Sequence, residues 1–351
     1  MKVLFIANSD RHIKLCHIPY LKLFHDNKYE VHVATNTNKE IPFCDHKINL
    51  KLKRNPYSFL NFFAVFKIRK LIKKEQYDLI SCHTPIGGFL GRVGAIGTKT
   101  KVFYTAHGFH FYKGCKLINK IIYYPIEKFL SRFTTAIITM NDEDYQVAKK
   151  KFHTDIYKIN GIGINVDKLK VTNNNLKEEL KLNNYFIVTY IAEISKRKNQ
   201  LNLIKELNKI DLESEKIKVL LIGDSIIPNF KDKINNDNII YIDFKENVGD
   251  YLNISDLFIS ASLQEGLPLC ILEAMYFNKY VIGLNIRGNR DLINNKNGKL
   301  VNNLEELVQE IIKYKNHKKR KINNNINKYK IESVIKEVKD IYNIYLNSKL
   351  K

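Results

Sequence analysis

The 351-residue chain lacks several features that would place it in a familiar class at once. No uncharged apolar run approaches the ~20 residues that a membrane-crossing helix needs. The opening Met1-Lys2-Val3-Leu4-Phe5-Ile6-Ala7 gives out at Asn8-Ser9-Asp10, so it reads as a first strand and not as a signal peptide. The five cysteines, Cys16, Cys44, Cys82, Cys115 and Cys270, are scattered, with no Cys-x-x-Cys pair and no His/Cys cluster at zinc spacing. Reduced thiols in a cytoplasm are the expectation, and no metal is expected. The first strand runs into Asn8-Ser9-Asp10-Arg11-His12 rather than Gly-x-Gly-x-x-Gly, which argues against a dehydrogenase. Acidic residues are also scarce: 36 Asp and Glu stand against 58 Lys and Arg, a net charge of +22. Residues 1–165 carry +15 of this and residues 166–351 carry +7. Such a surplus attracts polyanions, anionic membrane faces or acidic ligands. No helix-turn-helix, zinc finger or RNA-binding signature accompanies it, so nucleic acid is not an expected partner.

What is present is a repeating alternation. Short runs rich in β-branched and aromatic residues recur with amphipathic stretches between them, which predicts β-α-β units and parallel sheets. Strands are expected near 2–7, 30–34, 78–82, 101–105, 135–139 and 156–159, then at Tyr185–Ala192, Lys218–Ile222, Ile239–Tyr241, Leu257–Ser260 and Tyr280–Leu284. The length exceeds what one core usually fills. The expected division is a first domain over 1–167, a polar linker over 168–184 containing Asn173-Asn174-Asn175, a second domain over 185–330, and a terminal helix over 331–351. That helix repeats Ile331, Val334, Ile335, Val338, Ile341, Tyr342 and Tyr345 along one face.

The chemistry concentrates after the strand ending at Ser260. Ala261-Ser262-Leu263-Gln264-Glu265-Gly266-Leu267-Pro268 reads as a tight turn, and Pro268 suits the first helical position because its missing N–H is no loss there. Gly266 lets a ligand approach the backbone closely. The free N–H groups and positive dipole end of the following helix favour a diphosphate. Glu265 in the turn and Glu273 in the second helical turn bracket that position, and a carboxylate such as Glu273 can accept hydrogen bonds from paired sugar hydroxyls.

The string Glu265-Gly266-Leu267-Pro268…Glu273-Ala274 resembles the E-x7-E signature of family 4 of the retaining glycosyltransferases, which have the GT-B fold. Further segments resemble the same family in order: Gly161-Ile162-Gly163-Ile164-Asn165, Ser195-Lys196-Arg197-Lys198-Asn199, Leu221-Ile222-Gly223-Asp224, Ser255-Asp256-Leu257-Phe258 and Arg287-Gly288-Asn289-Arg290-Asp291-Leu292-Ile293. Cys82-His83-Thr84-Pro85-Ile86-Gly87-Gly88 and Tyr104-Thr105-Ala106-His107-Gly108-Phe109-His110 are similar to the subgroup that builds capsular polysaccharide and exopolysaccharide repeat units.

The resemblance implies two Rossmann-like domains facing a central cleft, the first for the acceptor and the second for a nucleotide-sugar donor, UDP-linked on family grounds. It implies that the terminal helix packs back across the first domain. It places Lys198 on the donor diphosphate, Glu273 on the ribose hydroxyls, Glu265 beside the donor sugar with the backbone of Gly266, Leu267, Pro268 and Leu269, and His107 facing that sugar near the reacting carbon. The family commonly carries Gly-Arg where this chain has Ala192-Glu193, so Arg197 or Lys196 is expected to stand in for the missing cation near Glu193. Transfer with retention follows, with no cofactor required. The rival readings are a nucleotide-sugar epimerase of the same fold and a catalytically silent relative.

Two further stretches carry expectations. Asp142-Glu143-Asp144 mimics a metal-binding triplet, but it opens a helix where acids favour the positive end and Asn141 can cap, so it is expected to be structural. Residues 54–63 and the helix near 116–132 mix aromatics with Lys and Arg, as interfacial segments do. With the basic first half, they suggest that the protein rests peripherally on the anionic inner face of the plasma membrane, where a lipid-linked oligosaccharide acceptor is presented.

Overall fold

The computed structural model describes residues 1–52, 59–317, 322, 324–346 and 350. The chain divides into two compact units, Met1–Ile162 with Glu332–Lys351, and Gly163–Ile331. The first holds seven strands: β1 Lys2–Ile6, β2 Glu30–Thr35, β3 His46–Asn49, β4 Leu79–His83, β5 Lys101–Ala106, β6 Ala136–Thr139 and β7 Asp155–Lys158. They form one parallel sheet in the order β3-β2-β1-β4-β5-β6-β7. The second holds β8 Phe186–Ile191, β9 Ile217–Ile222, β10 Ile239–Ile242, β11 Leu257–Ser260, β12 Tyr280–Leu284 and β13 Gly298–Val301. These are again all parallel, in the order β10-β9-β8-β11-β12-β13.

Both faces of the second sheet are covered, which is why its strands read as unbroken apolar runs. Val188, Val219 and Leu221 enter one core cluster, while their alternating neighbours Ile187, Leu220 and Ile222 enter another. The two strands that the sequence did not announce are β3 and β13, each at a sheet edge. They are short, and His46, Lys47, Asn49 and Lys299 dilute their apolar pattern, as edge strands commonly do.

The segment expected as a linker is part of the second unit. Leu169, Leu176 and Leu182 are buried, and the Asp250 carboxylate accepts hydrogen bonds from the backbone N–H groups of Thr172 (2.6 Å) and Asn173 (3.0 Å). The passage between units falls at Ile162/Gly163 instead of near 168, and the return at Ile331/Glu332. The final helix, Ile331–Tyr345, belongs to the first unit from Glu332 onward. Its Val334, Val338, Ile341 and Tyr342 are buried, Tyr342 lies 4.8 Å from the Phe103 ring, and its hydroxyl meets Ser81 Oγ at 2.8 Å.

In the first unit the helix Pro85–Ala95 packs hard against the sheet. A Cβ at Gly87 would stand 2.9 Å from the carbonyl oxygen of Ile6, so only glycine permits that approach. Arg92 on this helix is fully buried, paired with Glu127 at 2.7 Å, and stacked 4.0 Å from the Tyr104 ring. The helices Phe59–Glu75 and Leu117–Ser131 flank it, and among the described residues no helix is long and apolar enough to cross a membrane.

Candidate active site

In the second sheet β8 neighbours β11 although β9 and β10 follow it in the chain, so strand order reverses between them. Loops leaving the carboxyl ends of two such strands part to either side, and open α/β sheets bind ligands in the crevice between. The loop after β8 carries Glu193, Arg197 and Lys198, and the loop after β11 carries Glu265. The two loops are tied together. Leu263 N–H donates to the Arg197 carbonyl at 2.9 Å, and the buried Tyr190 hydroxyl meets both the Lys198 carbonyl and Ser262 Oγ at 2.8 Å.

Glu265 is buried at 8% exposure, and its carboxylate receives Lys198 Nζ at 2.5 Å and the Arg197 guanidinium at 3.5 Å. Burial would raise its pKa, but Lys198 and then Arg197 outweigh it and hold the carboxyl below its usual range. The Glu265 carbonyl accepts from Arg287 Nε at 3.0 Å. Gly288 follows with φ +80°, where a Cβ would stand 2.6 Å from the Gly266 carbonyl oxygen, so the Arg287-Gly288 turn packs directly on the Glu265-Gly266 turn. Glu193, in place of the expected arginine, is half-buried, and its side chain has no hydrogen-bond or ion-pair partner among the described residues.

The helix Leu269–Tyr276 begins one residue later than expected: Pro268 is its N-cap, with ψ 116°, and not its first helical residue. Proline offers no capping side chain, and the first turn contains no acid. The N–H groups of that turn therefore lack the side-chain cap that usually answers them. Glu273 lies on the second turn of the same helix, half-buried, with no hydrogen-bond or ion-pair partner among the described residues. Burial alone pushes its carboxyl up to about 7. Burial raises the thiol of Cys270, on the first turn of the same helix, to about 12.

His107 lies in the other unit, just past β5. It is one of four clustered histidines at the β1/β4 reversal of the first sheet. His12 Nε2 lies 3.3 Å from His107 Nε2 and 3.2 Å from His17 Nε2, while the His83 ring lies 3.7 Å from the His17 ring, tilted by 32°. Burial drives all four pKa values down, that of His12 to about 4, with mutual repulsion adding to the effect on the other three. They are neutral at pH 7. Sequence reasoning singled out only His107. His17 carries no periodic signal, being the junction residue where Pro19 opens a second helix, Ile18–Asp26.

Asp142, Glu143 and Asp144 serve separate structural purposes. Asn141 caps the helix Asp142–Lys151 by accepting from Asp144 N–H at 2.8 Å, and Asp142 pairs with Lys158. Glu143 accepts from Lys113 N–H, and the buried Asp144 accepts from Phe109 N–H at 3.1 Å, holding the strand exit that carries His107.

Both halves of the chain match known families: residues 2–141 match the model for glycosyl transferase 4-like domains, and residues 185–317 that for glycosyl transferases group 1. The chain is 33% identical over 316 residues to the putative glycosyltransferase EpsD of Bacillus subtilis, which covers 86% of this chain and 83% of that protein. The chain belongs to the group 1 glycosyl transferases. It is also 28% identical over 304 residues to the UDP-Gal:alpha-D-GlcNAc-diphosphoundecaprenol alpha-1,3-galactosyltransferase of Escherichia coli, with 80% of this chain and 78% of that protein covered. The structure of HepE from Anabaena in complex with UDP and glucose superposes with a TM-score of 0.76 at 16% identity, over 97% of this chain and 99% of that one. The fold is that of the GT-B glycosyltransferases, two Rossmann-like units, and the protein is a glycosyltransferase.

Proposed function

We propose that this group 1 glycosyl transferase moves a hexosyl unit, with retention, from a UDP-sugar to a hydroxyl of a lipid-linked oligosaccharide in surface polysaccharide synthesis. The observation that carries the donor half is Glu273, an unpaired and poorly solvated carboxylate beside an uncapped helix start. A ribose supplies two hydroxyl donors for such a group, and a diphosphate supplies the anion that the helix N–H groups lack. Lys198 neutralises the leaving diphosphate, with Arg197 supplying the second cation that Glu193 does not. Glu265 and the backbone from Gly266 to Leu269 line the sugar, and His107 belongs to the acceptor half of the reaction. Stabilising a departing anion with preorganised cations and N–H groups is an electrostatic task that asks for no metal. The E. coli relative, named for a UDP-Gal donor and a diphosphoundecaprenol-linked acceptor, supports the choice of donor and acceptor class.

A panel of nucleotide sugars is expected to raise the melting temperature only for the cognate UDP-sugar, since ligand at about 100 times its Kd adds about 2.7 kcal/mol. With acceptor present, NMR should find the anomeric configuration of the donor preserved in the product. An inverted product, or an epimerised donor formed without acceptor, would refute the reading.

The acceptor half also draws on the surface of the first unit. Leu117, Ile118, Ile121 and Phe129 on the helix Leu117–Ser131 are exposed, with Lys116, Lys120 and Lys128 beside them. Phe63 and Phe66 are exposed on the helix Phe59–Glu75, whereas residues 54–58 of the expected interfacial stretch lie outside the described residues. Apolar side chains ringed by lysines suit an anionic bilayer surface, at about 1 kcal/mol per basic residue. Full-length protein should cosediment with vesicles containing phosphatidylglycerol and be released as salt rises; Ile118→Asp with Ile121→Asp should abolish the binding. Indifference to anionic vesicles at physiological salt removes the membrane part of the proposal.

A further inference from the structure

Three of the four clustered histidines in the first unit gather ring nitrogens about one point, and of these the transferase reading uses only His107. His12, His17 and His107 each offer a ring nitrogen, and the three ligand atoms lie within 4.8 Å of one another. The Nε2 separations about His12 are 3.2 Å and 3.3 Å. Two nitrogens bound to one tetrahedral zinc at about 2.0–2.1 Å stand about 3.3–3.4 Å apart, so these spacings already match two edges of such a site. The rings fan out edge to edge instead of stacking: His12 and His107 are inclined by 82°, His12 and His17 by 60°, and His17 and His107 by 75°. Ligands radiating from a common centre take that arrangement.

Hydrogen bonding alone serves this contact poorly. A neutral imidazole has either one N–H or one lone pair at Nε2, so His12 Nε2 can satisfy one neighbour well and not both. A cation that accepts three lone pairs resolves the conflict. His83 is excluded from the set because its Nε2 is taken by Ser81 Oγ at 2.9 Å, and that hydroxyl in turn meets Tyr342. The buried Nδ1 atoms of His17 and His83 lack protein partners among the described residues. Both rings line a small cavity, shared with Thr105 and Tyr342, that has room for about one water, which is the outer partner that a metal-bound imidazole normally requires.

We infer that His12, His17 and His107 form a binding site for a divalent transition cation of the zinc and cobalt class, with a fourth position left open. Neutral imidazoles suit such ions better than magnesium or calcium, which prefer oxygen ligands. The observations lie within the first unit, and because His107 also serves the proposed transfer, the test reads cation binding and not activity. Among the described residues one other trio, Glu30, His32 and His46, could be gathered on a metal, but its contacts are already those of an ion-paired network with Lys2.

The test is cobalt titration of the untagged full-length chain, followed by visible absorption. One equivalent should bind with the intense bands of four-coordinate cobalt and be displaced by zinc. His12→Ala and His17→Ala should each weaken binding about 100-fold or more, while His46→Ala should leave it unchanged; circular dichroism verifies folding of each variant. Should His17→Ala fail to fold because of its buried position, His107→Gln replaces it in the same titration. Absence of stoichiometric binding, binding that survives His12→Ala, or loss of binding in His46→Ala would each overturn the assignment.

Discussion

Glu273→Gln should make the ligand-free protein more stable at pH 8 and nearly unable to bind its donor. The carboxyl carries a pKa of about 7 in the folded chain because it is buried without a compensating charge. In the unfolded chain it titrates near the ordinary 4.5. Between those values the folded protein holds a proton that the unfolded chain has released, so stability falls as pH rises from 4.5 through 7 and levels off above. The shift corresponds to about 3 kcal/mol, at 1.36 kcal/mol per unit. Glutamine removes that titration. Its unfolding free energy should exceed that of the native protein by about 2–3 kcal/mol at pH 8 and differ little at pH 5. Donor binding moves the opposite way. Hydrogen bonds to a charged group contribute about 1.5–3 kcal/mol, so Kd for UDP should rise between tenfold and about 100-fold. In the native protein, affinity for UDP should increase as pH climbs through 7, where Glu273 ionises, and in the variant it should be flat. Calorimetric titrations at pH 6 and pH 8 decide the matter; equal affinity in the two proteins would remove Glu273 from the donor site.

Lys198→Met separates catalysis from architecture by a different route. Lys198 and Glu265 are both largely buried, with side-chain exposures of 11% and 9%. Removing the ammonium strands a carboxylate whose remaining cation, Arg197, is 3.5 Å away and half exposed. Breaking a buried pair on one side costs about 3–5 kcal/mol. Transfer should also slow by about 10²–10³-fold, the usual loss when one charge-stabilising donor leaves a transition state. Adding Glu265→Gln should restore most of the stability, because no buried charge is then left alone, without restoring the rate. Recovery of both would mean that Lys198 only neutralises Glu265; loss of neither would dismiss the site.

The legibility of this protein varied with how local its signals are. Central strands such as β11 and β12 are apolar on both faces, and the sequence located them to the residue. Edge strands β3 and β13 were illegible because one side of each faces no partner and tolerates polar residues. The segment 168–184 misled for a related reason: its asparagines read as linker, while three spaced leucines anchor it in the second unit. The turn from Glu265 to Glu273 was visible because strand, turn and helix signals adjoin within a few residues. Its partners were less so. Tyr190 on β8 reaches the site with no motif of its own, and the Arg287 motif gave no sign that its side chain would hold the Glu265 carbonyl.

The sequence by itself determined the two parallel-sheet units, which follow from contiguous patterns of burial, and its motifs carried the resemblance to a glycosyltransferase family. Tertiary structure alone decided which side chains meet. Strand-order reversal brings Lys198 to Glu265 across 67 positions. The β1/β4 reversal brings His12 to His107 across 95. Such contacts depend on how strands are ordered in a sheet, a non-local choice that leaves no periodic trace in the chain, and burial then sets the charge state of Glu273 and of the histidines in a way that composition does not reveal.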